Sequence, residues 1–170
     1  MTEQTNDAAL GLAVSRTLAA PRELVYRMFT EPQHAAQWFA PPECAARCEM
    51  DVRPGGAYRI IIQVPGAEIP IKGVYLEVDP PARLVYTEDL SEHPAEWLAE
   101  TEGKLRGLGG TLAAEYLVTV TFEERGAGTE VTLSYAFRDE AERAAHEQAD
   151  WLAGYRLGLE RLDAYLASLG

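Results

Sequence analysis

Few side chains in this sequence have chemistry to offer, and their spacing argues against most catalytic devices. Cys44 and Cys48 stand four apart. On a strand that separation is roughly 13 Å, beyond the about 7 Å that the Cα atoms of a disulfide allow. They read as two small buried apolar residues. His34, His93 and His146 are scattered, without the HExxH or CxxC spacing that holds zinc. His146, alone on a helical stretch, is expected to be exposed. No Ser/His/Asp set, phosphate-cradling glycine loop or pair of carboxylates on one face emerges. The residues assign no catalytic group and imply no metal or cofactor.

Tyrosines are the more promising material. Tyr58, Tyr75, Tyr86, Tyr116 and Tyr135 fall in segments that alternate like strands, and Tyr155 in a helical one. Parity places Tyr58, Tyr116 and Tyr135 on apolar faces, where each brings apolar surface and one hydroxyl that wants a partner. Two uses fit: the walls of a ligand pocket, or core tyrosines whose hydroxyls reach backbone or water at the rim. Arg16 sits on the apolar side of its strand and must pair or reach solvent. Glu88, which shares parity with Leu84 and Tyr86, and Glu77 are its candidate partners. Arg16 then serves either a structural ion pair or the orientation of an acidic ligand group. Gly154 and Gly158 each cost a helix up to about 1 kcal/mol relative to alanine. They mark either close helix–sheet approach or room for a ligand. Trp97 and Leu98 suit a lid over a cavity mouth, a partner-binding patch, or a satellite cluster on the sheet edge.

The elements that must position these residues follow from hydrophobic period. Leu10, Leu12, Val14, Arg16 and Leu18 alternate as a half-buried strand. Pro21 opens a short helix carrying Leu24, Val25, Met28 and Phe29, and Thr30 is placed to cap a second, with Pro32 in its first turn and Trp38-Phe39 at its end. Strands follow over Cys44–Val52, Tyr58–Val64, Ile69–Val78 and Arg83–Glu88, the first two joined by a Pro54-Gly55-Gly56 turn. Two more carry Tyr116, Val118, Val120, Phe122 and then Val131, Leu133, Tyr135, Phe137 inward. From Asp139 to Leu169 the pattern is helical. It begins with capping-box spacing at Asp139 and Glu142, and Tyr155, Leu159, Leu162, Leu166 and Leu169 form its stripe. A kink is expected near Gly154. Ser91–Ala113 fits neither period and reads as a long loop or lid (91–112) with a short helix around Pro94–Leu105.

With 15 Lys+Arg against 27 Asp+Glu, the net charge is −12 and the pI near 4.7. That balance disfavours nucleic acid and anionic membrane surfaces as partners. No apolar run approaches the ~20 residues of a spanning helix, and the polar N-terminus does not resemble a signal peptide. The expectation is a cytoplasmic chain with a mobile tail at residues 1–9 and a single domain over 10–169. Each strand has one wet face and the last helix one stripe. The economical arrangement is α+β: a curved antiparallel sheet of six to seven strands wrapped around a long C-terminal helix, with two short helices after the first strand.

Several phrases carry a family resemblance. Arg16 with Ala20-Pro21-Arg22-Glu23-Leu24-Val25-Tyr26 resembles R-x-(x)-x-A-P-x-E-x-V-(W/Y), and Pro32 with Trp38-Phe39-Ala40-Pro41 resembles P-x-x-x-x-x-W-(W/F)-x-P. Asp51-Val52-Arg53-Pro54-Gly55-Gly56 is similar to D-x-R-x-G-G. Gly73–Val78 followed by Pro80–Thr87 is similar to G-x-(Y/F)-x-E-(V/I)-x-P-P-x-R-L-(V/x)-(Y/F)-T. Gly154-Tyr155 with Leu159, Leu162 and Tyr165-Leu166 stands where the family writes G-W-x-x-x-L-x-x-L. These are phrases of the SRPBCC (START/Bet v 1-like, helix-grip) superfamily, in the branch related to the activator of Hsp90 ATPase homologue 1. Tyr155 departs from the usual Trp, and the 91–110 segment is longer than the family needs.

The resemblance implies a helix-grip fold with a cavity, and it brings no shared catalytic set. The implied function is binding of a small hydrophobic or aromatic ligand. Cavity candidates are Arg16, Trp38, Tyr58, Ile60, Tyr86, Trp97, Tyr116, Val118, Tyr135, Trp151, Gly154, Tyr155 and Gly158. Two alternatives stay open: a cyclase- or hydrolase-like enzyme, which needs a titratable group with a shifted pKa in the cavity, and a chaperone-cofactor-like interaction module, which needs an exposed apolar patch. A homodimer is compatible with all three.

Overall fold

Alternation along the chain builds one sheet. The computed structural model describes residues 10–170, so the tail at 1–9 lies outside the described residues. Seven strands form: β1 (Gly11–Leu18), β2 (Ala45–Met50), β3 (Ala57–Val64), β4 (Ala67–Asp79), β5 (Arg83–Asp89), β6 (Glu115–Arg125) and β7 (Gly128–Ala136). Their order is β1-β7-β6-β5-β4-β3-β2, antiparallel throughout. Five helices accompany them: α1 (Arg22–Thr30), α2 (Pro32–Trp38), α3 (Ala95–Gly107), α4 (Glu140–Gln148) and α5 (Ala153–Leu169). The sheet curls around α5, giving the α+β helix-grip arrangement. Gly55, at φ +84°, takes the left-handed position of the β2–β3 turn.

The concave face carries the core. Tyr116, Val118, Val120 and Phe122 of β6 lie beside Val131, Leu133 and Tyr135 of β7 and Leu84 and Tyr86 of β5, all buried. Leu159, Leu162 and Leu166 of α5 are buried in the same cluster, but Leu169 is 49% exposed, so the stripe ends at Leu166. Between Tyr75 and Glu77 the β4–β5 register shifts. The shift leaves Leu76 and Glu77 both exposed, while Tyr75 and Val78 turn inward opposite Tyr86 and Leu84.

Several sequence expectations change. Glu31, rather than Thr30, is the N-cap of α2; the Thr30 hydroxyl donates to the Tyr26 carbonyl, closing α1. Cys44 lies ahead of β2, and Cys48 within it; both are free, and burial pushes the Cys48 thiol up to about 11. The short helix read around Pro94–Leu105 is present and runs two residues further, over residues 95–107. Arg16 pairs neither with Glu88 nor with Glu77. From β1 to β5 is three strand spacings, roughly 14 Å, whereas α5 passes alongside β1. There Arg16 binds Asp163 at 2.7 Å. Glu77 instead accepts from Arg83 at 3.2 Å.

The C-terminal helical segment is two helices. Asp139 caps α4 by accepting from the Glu142 N–H at 2.9 Å, as its spacing suggests. The chain then turns at residues 149–152, with Asp150 at φ +53°, and restarts before Gly154 rather than kinking there. The turn delivers Trp151 onto Tyr116 and His146, with ring centroids 4.9 and 4.8 Å away.

His146 is therefore buried, 1% exposed, and not on a wet face. The Ala113 N–H donates to Tyr116 Oη at 3.0 Å, Tyr116 Oη bonds His146 Nε2 at 2.9 Å, and His146 Nδ1 bonds the Glu142 carbonyl at 2.7 Å. With a carbonyl at one end and an N–H at the other, the assignment that satisfies every group puts the proton on Nδ1.

Two outcomes follow from this chain. Tyr116→Phe strands the Ala113 N–H and His146 Nε2, so urea unfolding should show a loss of about 1–3 kcal/mol. Burial also lowers the His146 pKa below its ordinary 6.5, so the unfolded chain takes up a proton first as pH falls. That contribution to stability is whole above about pH 6.5 and is lost below it. Thermal melts between pH 7.5 and 5.5 should show a fall in Tm that is shallower in His146→Gln; an unchanged slope would exclude His146 as the titrating group.

Candidate functional site

A cavity of about 470 Å³ opens where α3, the 149–152 turn and the start of α5 stand off the sheet. That volume falls within the roughly 300–1,000 Å³ of small-molecule sites. The concave face contributes Ile62, Ile71, Glu88 and Tyr135, and the segment after β5 contributes Leu90 and His93. Trp97, Thr101, Lys104 and Leu105 come from α3, Trp38 and Phe39 from the end of α2, and Trp151, Gly154 and Tyr155 from the far side. A second, inner space of about 30 Å³ lies behind Trp38, Phe39, Ile71 and Tyr155, walled by Tyr58, Ile60, Tyr75 and Tyr86. It has room for little more than a water.

Each wall is fixed by its own contacts. The Trp38 indole N–H donates to the Met28 carbonyl at 3.0 Å, while Arg161 of α5 donates to the Trp38 and Phe39 carbonyls at 3.0 and 3.3 Å. These bonds tie the C-terminal end of α2 to α5. A Cβ at Gly158 would meet the Trp38 ring at 3.4 Å, ordinary contact distance, so this glycine packs on Trp38 and does not open onto the cavity. Gly154 is the opposite case: nothing lies within 4 Å of the Cβ it lacks, and it lines the cavity. Trp97 packs on His93 with ring centroids 4.5 Å apart. Burial lowers the His93 pKa, and its Nδ1 is buried without a hydrogen-bond partner among the described residues.

The central polar group is Glu88, 4% exposed. Tyr135 Oη donates to Glu88 Oε1 at 2.7 Å and Tyr155 Oη to Glu88 Oε2 at 2.8 Å. Tyr86 Oη stands 3.4 Å from Tyr155 Oη, extending the chain toward the inner space. Burial pushes the Glu88 carboxyl above its ordinary range, and the two tyrosine hydrogen bonds oppose that shift without cancelling it. The same burial, with Glu88 nearby, drives the Tyr135 and Tyr155 phenols well above 10. They are donors. Tyr58 serves the sheet instead. It lies opposite Gly73, where any side chain would strike the Thr87 carbonyl, and donates to that carbonyl at 2.6 Å. The Thr87 hydroxyl accepts from the Val74 N–H at 3.0 Å, so the local gap in the ladder is filled by side chains.

The sequence candidates separate accordingly. Trp38, Trp97, Tyr135, Trp151, Gly154 and Tyr155 line the larger cavity, and Tyr58, Ile60 and Tyr86 the inner one. Four lie elsewhere. Arg16 is at the β1–α5 rim, Val118 is fully buried between its cross-strand neighbours Tyr86 and Tyr135, Tyr116 faces α4, and Gly158 backs onto Trp38. Glu88 is the main cavity residue that is missing from the sequence candidates. Its parity with Leu84 and Tyr86 is the available signal, and the same parity suits a partner for Arg16. His93, Lys104 and Leu105 give no such signal.

Among the described residues, no three His, Cys, Asp or Glu side chains are grouped to hold a metal ion, and no helix is long and apolar enough to cross a membrane. The profile of the family described as "Activator of Hsp90 ATPase homolog 1-like protein" matches residues 19–167. A protein of Nitrosomonas europaea is 26% identical, with TM-score 0.72 over 95% of this chain and 96% of that one. One of Chromobacterium violaceum is 25% identical, with TM-score 0.64 over 92% and 96%. A Mycobacterium smegmatis protein, 17% identical with TM-score 0.73 over 97% and 96%, shares the fold. No curated protein matches the sequence significantly.

The electrostatics of Glu88 give a signed expectation. A carboxyl raised on folding binds its proton more tightly in the native chain, so its stabilising contribution holds below about pH 4.5 and is lost as pH rises through the folded midpoint. Carboxyl-detected NMR should place that midpoint above 4.5. Tyr135→Phe, which removes a bond to the charged form, should raise it further; a midpoint at or below 4.5 would contradict the burial described.

Proposed function

The chain belongs to the activator of Hsp90 ATPase homolog 1-like family, and we propose that it is a binding protein for small hydrophobic or aromatic molecules. The observation that carries the proposal is the cavity of about 470 Å³ between sheet and helices, walled largely by aromatic and aliphatic side chains around one buried carboxylate. Aromatic walls supply affinity by excluding water from apolar surface, and a few placed polar groups orient the occupant. Tyr135 and Tyr155 are held in position by Glu88.

A catalytic use of the same cavity is the second reading, and Glu88 is the observation in its favour. A buried carboxyl raised above its ordinary range suits general acid–base work near neutral pH. Recovery of a bound molecule unchanged after prolonged incubation favours binding alone; its conversion, lost in Glu88→Gln, favours catalysis.

The binding proposal is tested with N-phenylnaphthylamine, a neutral probe that fluoresces in apolar surroundings. The native chain should bind it, and a ligand at 100 times its Kd should stabilise the fold by about 2.7 kcal/mol. Gly154→Phe introduces a ring at an open, exposed position on the cavity wall. It should weaken the probe at least about tenfold, a change of about 1.4 kcal/mol, without lowering Tm. Equal binding by native chain and variant, or none by the native chain, would overturn the assignment.

A further inference from the structure

Glu88 is a buried carboxyl that no protein cation answers. Among the described residues it joins no ion pair, and its two oxygens are held by tyrosine hydroxyls alone. The other charged groups at the wall are engaged: Asp150 pairs with Arg156 at 2.9 Å, and Lys104 donates to the Ala149 carbonyl at 3.4 Å. Burial disfavours a charge on His93. A carboxylate has roughly four acceptor positions, of which the tyrosines use two, so Glu88 can still accept from an occupant.

The surroundings favour one sign of occupant. Phe39, Trp97, Trp151 and Tyr155 line the same cavity, and aromatic rings attract cations through their quadrupoles. An anion placed beside Glu88 would be repelled by its ionised form in a poorly solvated site, where repulsion is strong. A neutral occupant leaves the carboxylate unpaired. The net charge of −12 adds a long-range field that concentrates cations near the protein.

We propose that the cavity selects molecules bearing a protonated amine on an apolar body, with the ammonium at Glu88 and the body against Trp97 and Trp151. The inference rests on the reading of this cavity as a ligand site and specifies the chemistry that site accepts. The ammonium supplies the counter-charge that the fold omits and donates to the free acceptor positions of Glu88. The tyrosines keep the carboxylate oriented, so little reorganisation accompanies binding. Lys104 at the mouth is the one group that favours the opposite sign, and it lies on the exposed side of α3.

Three molecules of matched shape separate the possibilities: naphthylmethylamine, naphthylmethanol and naphthoate, each competed against N-phenylnaphthylamine at pH 7. The amine should displace the probe at a concentration at least about tenfold lower than the alcohol, with naphthoate weakest. Glu88→Gln should bring the amine to within about threefold of the alcohol. An alcohol as tight as the amine overturns the cation inference and leaves the ligand-site reading standing. Preference for naphthoate overturns it too and transfers recognition to Lys104, and an amine preference that survives in Glu88→Gln removes the role given to that residue. Should the variant not fold, the ranking on the native chain decides. Failure of the probe and all three molecules to bind overturns the ligand-site reading and the inference with it.

Discussion

A curved seven-stranded sheet has more concave surface than one helix can cover. Strands spaced by about 4.8 Å make the sheet nearly 30 Å wide, whereas a helix with its side chains is about 10–12 Å across. Leu159, Leu162 and Leu166 of α5 bury in the core, with α5 running beside the β1 edge. On one side α1 and α2 fill the remaining space with Val25, Met28, Phe29 and Trp38. On the other, α3 and the 149–152 turn arch over the sheet without filling it. The cavity is a consequence of that mismatch, and its walls are residues that each satisfy a neighbour first.

Within that space the fold tolerates a costly group. A carboxylate as buried as Glu88 is stabilised here by tyrosine hydroxyls from β7 and α5, one on each oxygen. The arrangement fastens the start of α5 to the sheet through a polar contact at the point where apolar packing thins out. It also leaves the carboxyl without a cationic partner. Several other buried polar groups find local partners: His146 in Tyr116 and a carbonyl, Thr129 in the Ala20 carbonyl at 2.7 Å, and Glu142 in Thr111 and Arg138. Glu88 differs from Glu142 in having no cation on either oxygen.

Much of this was legible in the sequence, because alternation and helical period are local. The element order, the inward parity of Tyr58, Tyr116 and Tyr135, and the Asp139 cap all follow from neighbours a few residues apart. What was not legible depends on distant residues or on irregularity. The register shift at Tyr75 and Glu77 breaks a parity that reads as continuous. The break at 149–152 lies between two stretches that are both helical in pattern, and it arises where Trp151 finds Tyr116, thirty-five positions earlier. The Asp163 partner of Arg16 depends on which edge α5 runs beside. Glu88 is the instructive case: an acid on an apolar face was visible, but its partners are two tyrosines from separate elements.

The central claim is that a small molecule enters between α3, α5 and the sheet. The most direct measurement is a ¹H–¹⁵N NMR titration of the chain with naphthylmethanol, read residue by residue. Entry there produces saturable shifts at the Trp97 and Trp151 indole N–H groups and at the Gly154 and Tyr155 amides, with Ser15, Thr132 and the β2–β3 turn unmoved. Shifts scattered over the outer face of the sheet, or confined to residues remote from Glu88, would contradict it.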